Sequence, residues 1–171
     1  MKACFRFLLV LGLVLSLGCA TSLVVSDTNQ RLPANAPVYV AVDADGGSGD
    51  RIHEGSGLLA AVAVAKALEP YTSSRLMGLN RESRDEALAS ARRANAAYLF
   101  VPRIVSWEDR TTLSARPQSA ELVVSVIEVE SGNNVVSAQI AGKSQAFLST
   151  GTPQEQLATP LSDWADQLFV K

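Results

Sequence analysis

The sequence predicts an α/β fold. It is a single mixed five-stranded sheet in the order 2-1-3-4-5, with element order β-α-β-α-β-β-β-α and helices on both faces. Three observations carry this prediction. Strand-like and helix-like stretches alternate between residues 38 and 105, the pattern of β-α-β units with parallel strands. The third strand is apolar on both faces, because Tyr98, Phe100 and Ile104 alternate with Leu99, Val101 and Val105. A strand of that kind is covered on both sides. Two more strands follow around a short Gly-containing connection, which adds them as an antiparallel meander. Right-handed crossovers, with the second strand outside the first, put the two crossover helices on opposite faces. A two-layer α+β arrangement is the alternative.

Taken in order, Thr21–Pro37 is polar and reads as a tether, with a short strand at Leu23–Val25 inside it. Val38–Val42 is a buried strand. Asp43–Gly57 is a glycine-rich loop, expected to be solvated and mobile. Leu58–Glu69 is an Ala-rich helix stopped by Pro70. It is apolar nearly all round, so it is expected to be largely buried. Ser73–Leu79 is a short strand. Ser83 and Glu86 have the spacing of a capping box and open a helix with Ala87, Leu88, Ala91, Ala94 and Asn95 on one side. Arg92 and Arg93 fall in its last turn, where the helix dipole favours cations.

Ala97–Trp107 is the central strand. Pro102 within it cannot donate to a ladder and marks a bulge. Glu121–Val129 and Val135–Phe147 form the hairpin, joined through residues 130–134. In the last strand Val136, Ala138 and Ile140 point in, and Ser137, Gln139 and Lys143 point out. Thr152 and Glu155 make a second capping box, with Pro153 at the first helical position. Leu157, Leu161, Trp164 and Leu168 then recur at helical spacing, and Pro160 kinks or restarts that helix.

The N-terminus carries an address. Lys2 and Arg6 precede Phe7–Leu17, an apolar run of 11 residues broken only by Gly12 and Ser16. A run of that length suits a signal-peptide core and falls short of the ~20 residues a span requires. Leu15-Ser16-Leu17-Gly18-Cys19 follows. It resembles the lipobox of bacterial lipoproteins, with Ser16 standing where that motif usually has Leu. Small Gly18 allows cleavage before Cys19, whose thiol then accepts a diacylglycerol. An ordinary cleaved secretory signal and an uncleaved anchor are the alternatives. The organisation read from the sequence is therefore a signal peptide over 1–18, a lipidated Cys19 and tether over 19–36, and one globular domain over 37–171. Ala20 and Thr21 are similar to sorting signals that lack Asp, which implies the outer membrane, with the domain facing the periplasm.

Removal of residues 1–18 leaves 153 residues, enough for one core. It takes Lys2 and Arg6 from the 15 basic residues, so 13 basic face 17 acidic, a net charge of −4. That balance offers no footprint for nucleic acid. Cys4 leaves with the signal and Cys19 is acylated, so no thiol remains for a disulfide, for catalysis or for a cysteine metal site.

A stretch made of Ala87, Ala91, Ala94, Tyr98, Pro102, Ile104, Trp107-Glu108-Asp109-Arg110 and Thr112, with Gly132 and Gly142-Lys143-Ser144, resembles a family of small Gram-negative envelope lipoproteins of unknown function. The resemblance runs from Pro37 to Leu168. It implies a periplasm-facing lipoprotein and supplies no catalytic residues. The element order is also similar to that of domains in envelope-secretion and envelope-stability lipoproteins.

The chemistry-bearing candidates are few. The Asp43–Gly57 loop leaves the first strand at its carboxyl end, where open α/β sheets bind ligands. It lacks a phosphate-cradle motif, and Asp43, Asp45, Asp50 and Glu54 would repel phosphate. Asp43 and Asp45 sit at a spacing that only loosely matches a calcium loop. His53 and Ser56 lack the Gly-x-Ser-x-Gly elbow of a hydrolase. The expectation is therefore no catalytic residue, no metal and no cofactor. Trp107, Glu108, Asp109 and Arg110 are the candidate partner surface, because three adjacent charged residues cannot all be buried without several kcal/mol of desolvation. The alternative is that Trp107 folds back under the hairpin. The function expected is a membrane-anchored, non-catalytic binding or assembly accessory of the cell envelope, with an envelope protein or glycan as partner. An enzyme acting on an envelope substrate is the other class.

Overall fold

The computed structural model describes residues 21–26, 30–109, 117–144 and 151–170. The main sheet has six strands: β1 (Thr21–Ser26), β2 (Val38–Val42), β5 (Arg75–Arg81), β6 (Tyr98–Glu108), β7 (Ser119–Glu128) and β8 (Asn134–Lys143). Their spatial order is β1-β8-β7-β6-β2-β5. The five predicted strands thus stand in the order expected. β5, β2 and β6 are parallel, and β7, β8 and β1 continue antiparallel. A two-stranded hairpin, β3 (Gly47–Ser48) with β4 (Arg51–Ile52), lies within the glycine-rich loop.

Among the described residues four α-helices complete the fold: α1 (Ser56–Leu68), α2 (Arg84–Arg93), α3 (Pro153–Gln156) and α4 (Ala158–Leu168). Both predicted capping boxes form, Ser83 with Glu86 and Thr152 with Glu155. The C-terminal helix breaks at Leu157 and restarts with Pro160 in its first turn. α2 ends at Arg93 and is followed, after the cap residue Ala94, by Asn95, whose φ of 52° is the left-handed turn that stops a helix.

The two sheet faces are covered unequally. On one face α1 and α4 enclose the larger core, which contains Val38, Val40 and Val42 of β2, Phe100 of β6, and Leu122, Val124, Ala138 and Ile140 of the hairpin. Phe100 meets Trp164 edge-on, with ring centroids 6.1 Å apart. On the other face α2 covers Tyr39, Ala41, Leu99, Ile127 and Val129 through Ala87 and Ala91. Its ten residues reach about 15 Å, while the eleven residues of β6 reach about 35 Å. The far half of that face is therefore open, and Val105 is 49 % exposed.

Three differences from the sequence reading have physical causes. Part of the expected tether is docked. Residues 21–26 pair with β8, and Leu32 is fully buried, bonded through its N–H to Leu168 O at 2.7 Å. α1 is apolar all round yet buried on one side only: Ala60, Ala61, Val64, Ala65 and Leu68 face the core, and Leu58, Leu59 and Val62 face out. The bulge falls between Ile104 and Ser106, and Pro102 stays in register with Val124. β2 pairs with β6 only as far as Phe100, so a residue without an N–H costs no bond on that side beyond it. The predicted last strand is seen to Lys143, and its residues 145–147 lie outside the described residues.

Gly142 shows how tightly α3 is set on the sheet. A Cβ at this position would collide with the backbone carbonyl of Gln156, and backbone cannot move aside as a side chain can. Gly142→Ala is expected to lower unfolding free energy by about 1–3 kcal/mol, the range for overpacking, read as a lower urea midpoint at unchanged slope.

Candidate functional site

The carboxyl ends of β2 and β5, with the adjoining part of β6, form the one region where open α/β geometry invites a ligand. Two clefts flank Asp43 there. One, of about 390 Å³, is lined by Asp43, Arg81, Glu82, Ser83, Ala87 and Val101. The other, of about 530 Å³, is lined by Val42, Asp45, Ile52, Leu58, Leu79 and Arg81 among others.

Two helix N-termini point at these clefts, and each already holds a carboxylate of the chain itself. α1 begins at Gly55-Ser56-Gly57 with no cap from its own side chains. Asp45 reaches in instead: its Oδ1 accepts from Gly57 N–H at 2.8 Å and its Oδ2 from Gly55 N–H at 3.1 Å. A phosphate would take those same donors. At α2 the Glu86 carboxylate accepts from Ser83 N–H at 2.8 Å and from the Ser83 hydroxyl at 2.7 Å. Those bonds from the Ser83 backbone and side chain hold the Glu86 carboxyl below its usual range.

Glu82 is saturated in the same way. Its N–H donates to Val42 O at 2.9 Å, which fixes it at the end of β2. Its carboxylate accepts from Tyr39 Oη at 3.1 Å and from Ser90 Oγ at 2.6 Å. Arg93 in turn donates to Ser90 Oγ at 2.9 Å. Burial pushes the Tyr39 phenol above its ordinary pKa, and the bond to Glu82 adds to the rise. This network closes the wall between β2 and α2. It leaves no Glu82 oxygen without a donor, as a base awaiting a substrate proton would be.

The loop residues singled out from the sequence are held in place. Asp43 Oδ1 accepts from Ala44 N–H at 2.7 Å, so Asp43 and Asp45 each serve backbone donors and do not converge on one point. Ser56 is 1 % exposed, and its hydroxyl oxygen accepts from Gly46 N–H at 2.8 Å. That occupies the group a nucleophile would need. His53 is half-buried, and its backbone N–H donates to Gly46 O at 2.9 Å. Gly46 itself lies against Ile104 and Trp107, with no room for a Cβ. The loop is solvated, as expected from composition, with Asp50, Arg51, Ile52 and Glu54 exposed, and within it Asp45 caps α1. Among the described residues, no three His, Cys, Asp or Glu gather as a metal would require.

Within the Trp107–Arg110 block the tryptophan is folded back into the core, the alternative given for it above. Trp107 is 2 % exposed and belongs to the larger core, opposite Ala120. The bulge is the reason. Strict alternation from Leu99 through Val105 would put Trp107 on the open face. The extra residue between Ile104 and Ser106 shifts the phase by one and turns the indole inward. Glu108 and Asp109 are half-buried at the end of β6, and Arg110 lies outside the described residues, as does Cys19.

The sequence reading missed Asp45 as the cap of α1, because the partners lie ten and twelve residues apart and no local motif records them. The available signal is negative: Gly-Ser-Gly opening a helix without a local acceptor requires one from elsewhere.

A protein-family profile, described as a domain of unknown function (DUF4823), matches residues 30–168. The chain belongs to this family. Its unknown function agrees with the family expected from the sequence. Among curated proteins none matches significantly. Among solved structures, PelC from Paraburkholderia phytofirmans, a dodecamer, aligns with TM-score 0.71 at 16 % identity, over 88 % of this chain and 100 % of its own. A methionine-substituted PelC aligns equally. A Xanthomonas campestris protein of the DUF330 family aligns with TM-score 0.47 at 11 % identity, over 81 % of this chain and 83 % of its own. The DUF4823 chain therefore shares its fold with PelC.

Two outcomes are expected. Trp107→Ala should cost about 3–5 kcal/mol of unfolding free energy, as for buried aromatic truncations, measured by urea titration; a surface tryptophan would cost far less. Asp45→Ala should cost about 0.5–2 kcal/mol, the range for a lost cap, and should speed amide exchange at Gly55 and Gly57 before the rest of the domain.

Proposed function

We propose that this DUF4823 chain is a lipid-anchored protein of the outer membrane, facing the periplasm and attached through Cys19. It works as a non-catalytic binding or assembly accessory of the cell envelope. The observation that carries the reading is the N-terminal sequence: Lys2 and Arg6, an apolar run of 11 residues, then Gly18-Cys19. Two acyl chains or more at one cysteine hold a protein on a bilayer effectively permanently. Among the described residues, no helix is long and apolar enough to cross a membrane.

The non-catalytic part rests on the saturation of the cleft. Asp45, Glu82, Glu86 and Ser56 are each engaged by donors or acceptors of the chain itself. A site built for chemistry keeps convergent groups available for substrate. The partner proposed is an envelope protein or glycan. PelC is a dodecamer, so further copies of this chain belong among the partners to test. Surfaces a partner would cover include the outer edge of β5, where Leu76 is 50 % exposed, and the outer side of α1 at Leu59 and Val62.

Cys19→Ala tests the anchor. Wild type should partition with membranes and carry the mass of its lipid, and the variant should do neither. Wild type without lipid mass, alongside a variant that still sediments with membranes, would remove the basis of this reading. Cross-linking in intact cells with the lipidated protein, followed by mass spectrometry, reads the partner directly.

A further inference from the structure

The start of β1 decides how the domain sits on its membrane. Thr21 pairs with Lys143, Lys143 with Ser119, and Ser119 with Glu108. These four residues form one row across the sheet, at the end where β6 stops. β2 leaves the sheet toward the same end, and Gly46 packs on Ile104 and Trp107. The β3–β4 hairpin therefore rises beside the last residues of β6. Cys19 precedes Thr21 by only two residues, which span at most about 7 Å when extended. The headgroup layer outside the hydrocarbon core is itself about 5–7 Å thick on each side. A lipid on Cys19 leaves no length for the domain to stand off, and the row from Thr21 to Glu108 lies at headgroup level.

Exposed apolar side chains gather where β2 and β5 end, about 17 Å short of that row along the strands. Leu79 stands level with Pro102 and Val124, and the row with Ser119. A tilt about the anchored edge brings them to the lipid. Ile52 is 70 % exposed, Leu79 78 % and Leu58 38 %, and all three line the larger cleft. Arg51 and Arg81 lie beside them, both exposed. Apolar side chains flanked by guanidinium groups match the boundary between acyl chains and phosphate headgroups. Of the loop carboxylates, Asp43 and Asp45 are turned to backbone donors, while Asp50 and Glu54 are exposed beside Arg51 and Ile52 and offset part of the attraction of the arginines for phosphate headgroups.

We infer that the strand-carboxyl end of the domain lies on the bilayer, with Ile52, Leu58 and Leu79 against the lipid. The inference rests on the acylation of Cys19 proposed above. It has a consequence for partners: the cleft between β2 and β5 opens onto the membrane, and the opposite end, with Ser73 and Glu130, is the one presented to the periplasm.

The chain is suited to a direct test, because its two cysteines are Cys4 in the signal and Cys19. A single new cysteine then carries the probe. Ile52→Cys, Leu79→Cys and Ser73→Cys are each made in the lipidated full chain and labelled with an environment-sensitive fluorophore. Each is reconstituted in vesicles of phosphatidylethanolamine and phosphatidylglycerol containing spin-labelled lipid. The probes at 52 and 79 should be quenched several-fold more than the probe at 73. Equal, weak quenching at all three positions on protein that floats with the vesicles overturns the orientation and leaves the anchor standing. Shielding of position 52 through cross-links to a second copy, without lipid quenching, overturns it too and assigns the patch to self-association. Wild-type protein that does not float overturns the anchor and the orientation together.

Discussion

Leu99 and Phe100 are neighbours on β6, and both are fully buried. Adjacent strand residues point to opposite faces, so the sheet must be covered on both sides at this level. That constraint explains the layering. Phe100 requires the large apolar layer that α1 and α4 bring, with Trp164 edge-on to its ring. Leu99 requires α2, whose Ala87 and Ala91 let the helix approach closely. The parallel arrangement follows, because the two helices that cover the two faces are the crossovers into β5 and β6. Beyond Phe100 the constraint relaxes. β2 has ended, α2 does not reach, and one face of β6 opens to solvent.

The bulge converts that open half into more core. Without it Trp107 would stand on the uncovered face beside Val105. With it, the indole turns under the hairpin and fills the space above Ala120, where Gly46 closes on it. The same contact draws the β2–α1 loop along β6, and Asp45 then reaches the start of α1. Loop, helix N-terminus and strand end are thus tied together by one carboxylate, one glycine and one tryptophan. The Asp45 carboxylate takes N–H groups that a ligand-binding member of this architecture would leave available.

Periodicity made the fold legible. Strand order, both capping boxes and the inward residues of β8 are local patterns, and local patterns survive into the structure. What was not legible depends on register or on distance in the chain. A one-residue bulge reverses every side chain after it, and its position between Ile104 and Ser106 leaves no mark in composition. Pro102 draws attention to the wrong place, because its missing donor falls where the ladder has already ended. The cap from Asp45 spans ten residues, and the docking of Leu32 on Phe169 spans most of the chain. The exposed stripe on α1 was hidden for a different reason: hydrophobicity reports what a surface prefers, and the layers present decide which side is covered.

The position of β1 links fold and address. A lipoprotein with a long tether leaves its domain free to rotate above the bilayer. Here the chain enters the sheet two residues after Cys19, and six further residues are fixed by pairing with β8. Lipid attachment at that point would act on the sheet itself and hold one edge at the membrane surface. The sheet is continuous from β1 to β5 through the ladders of β8, β7, β6 and β2. Rotation about the anchor then moves the far edge as a rigid body, toward or away from the lipid. The apolar cluster of Ile52, Leu58 and Leu79 sits at that far edge, where it would supply a second point of contact. Two separated contacts on one rigid sheet fix a line against the bilayer, whereas a single anchor fixes only a point. An acyl chain on Cys19 and the exposed Ile52, Leu58 and Leu79 would together restrict the domain to one orientation, which neither contact does alone.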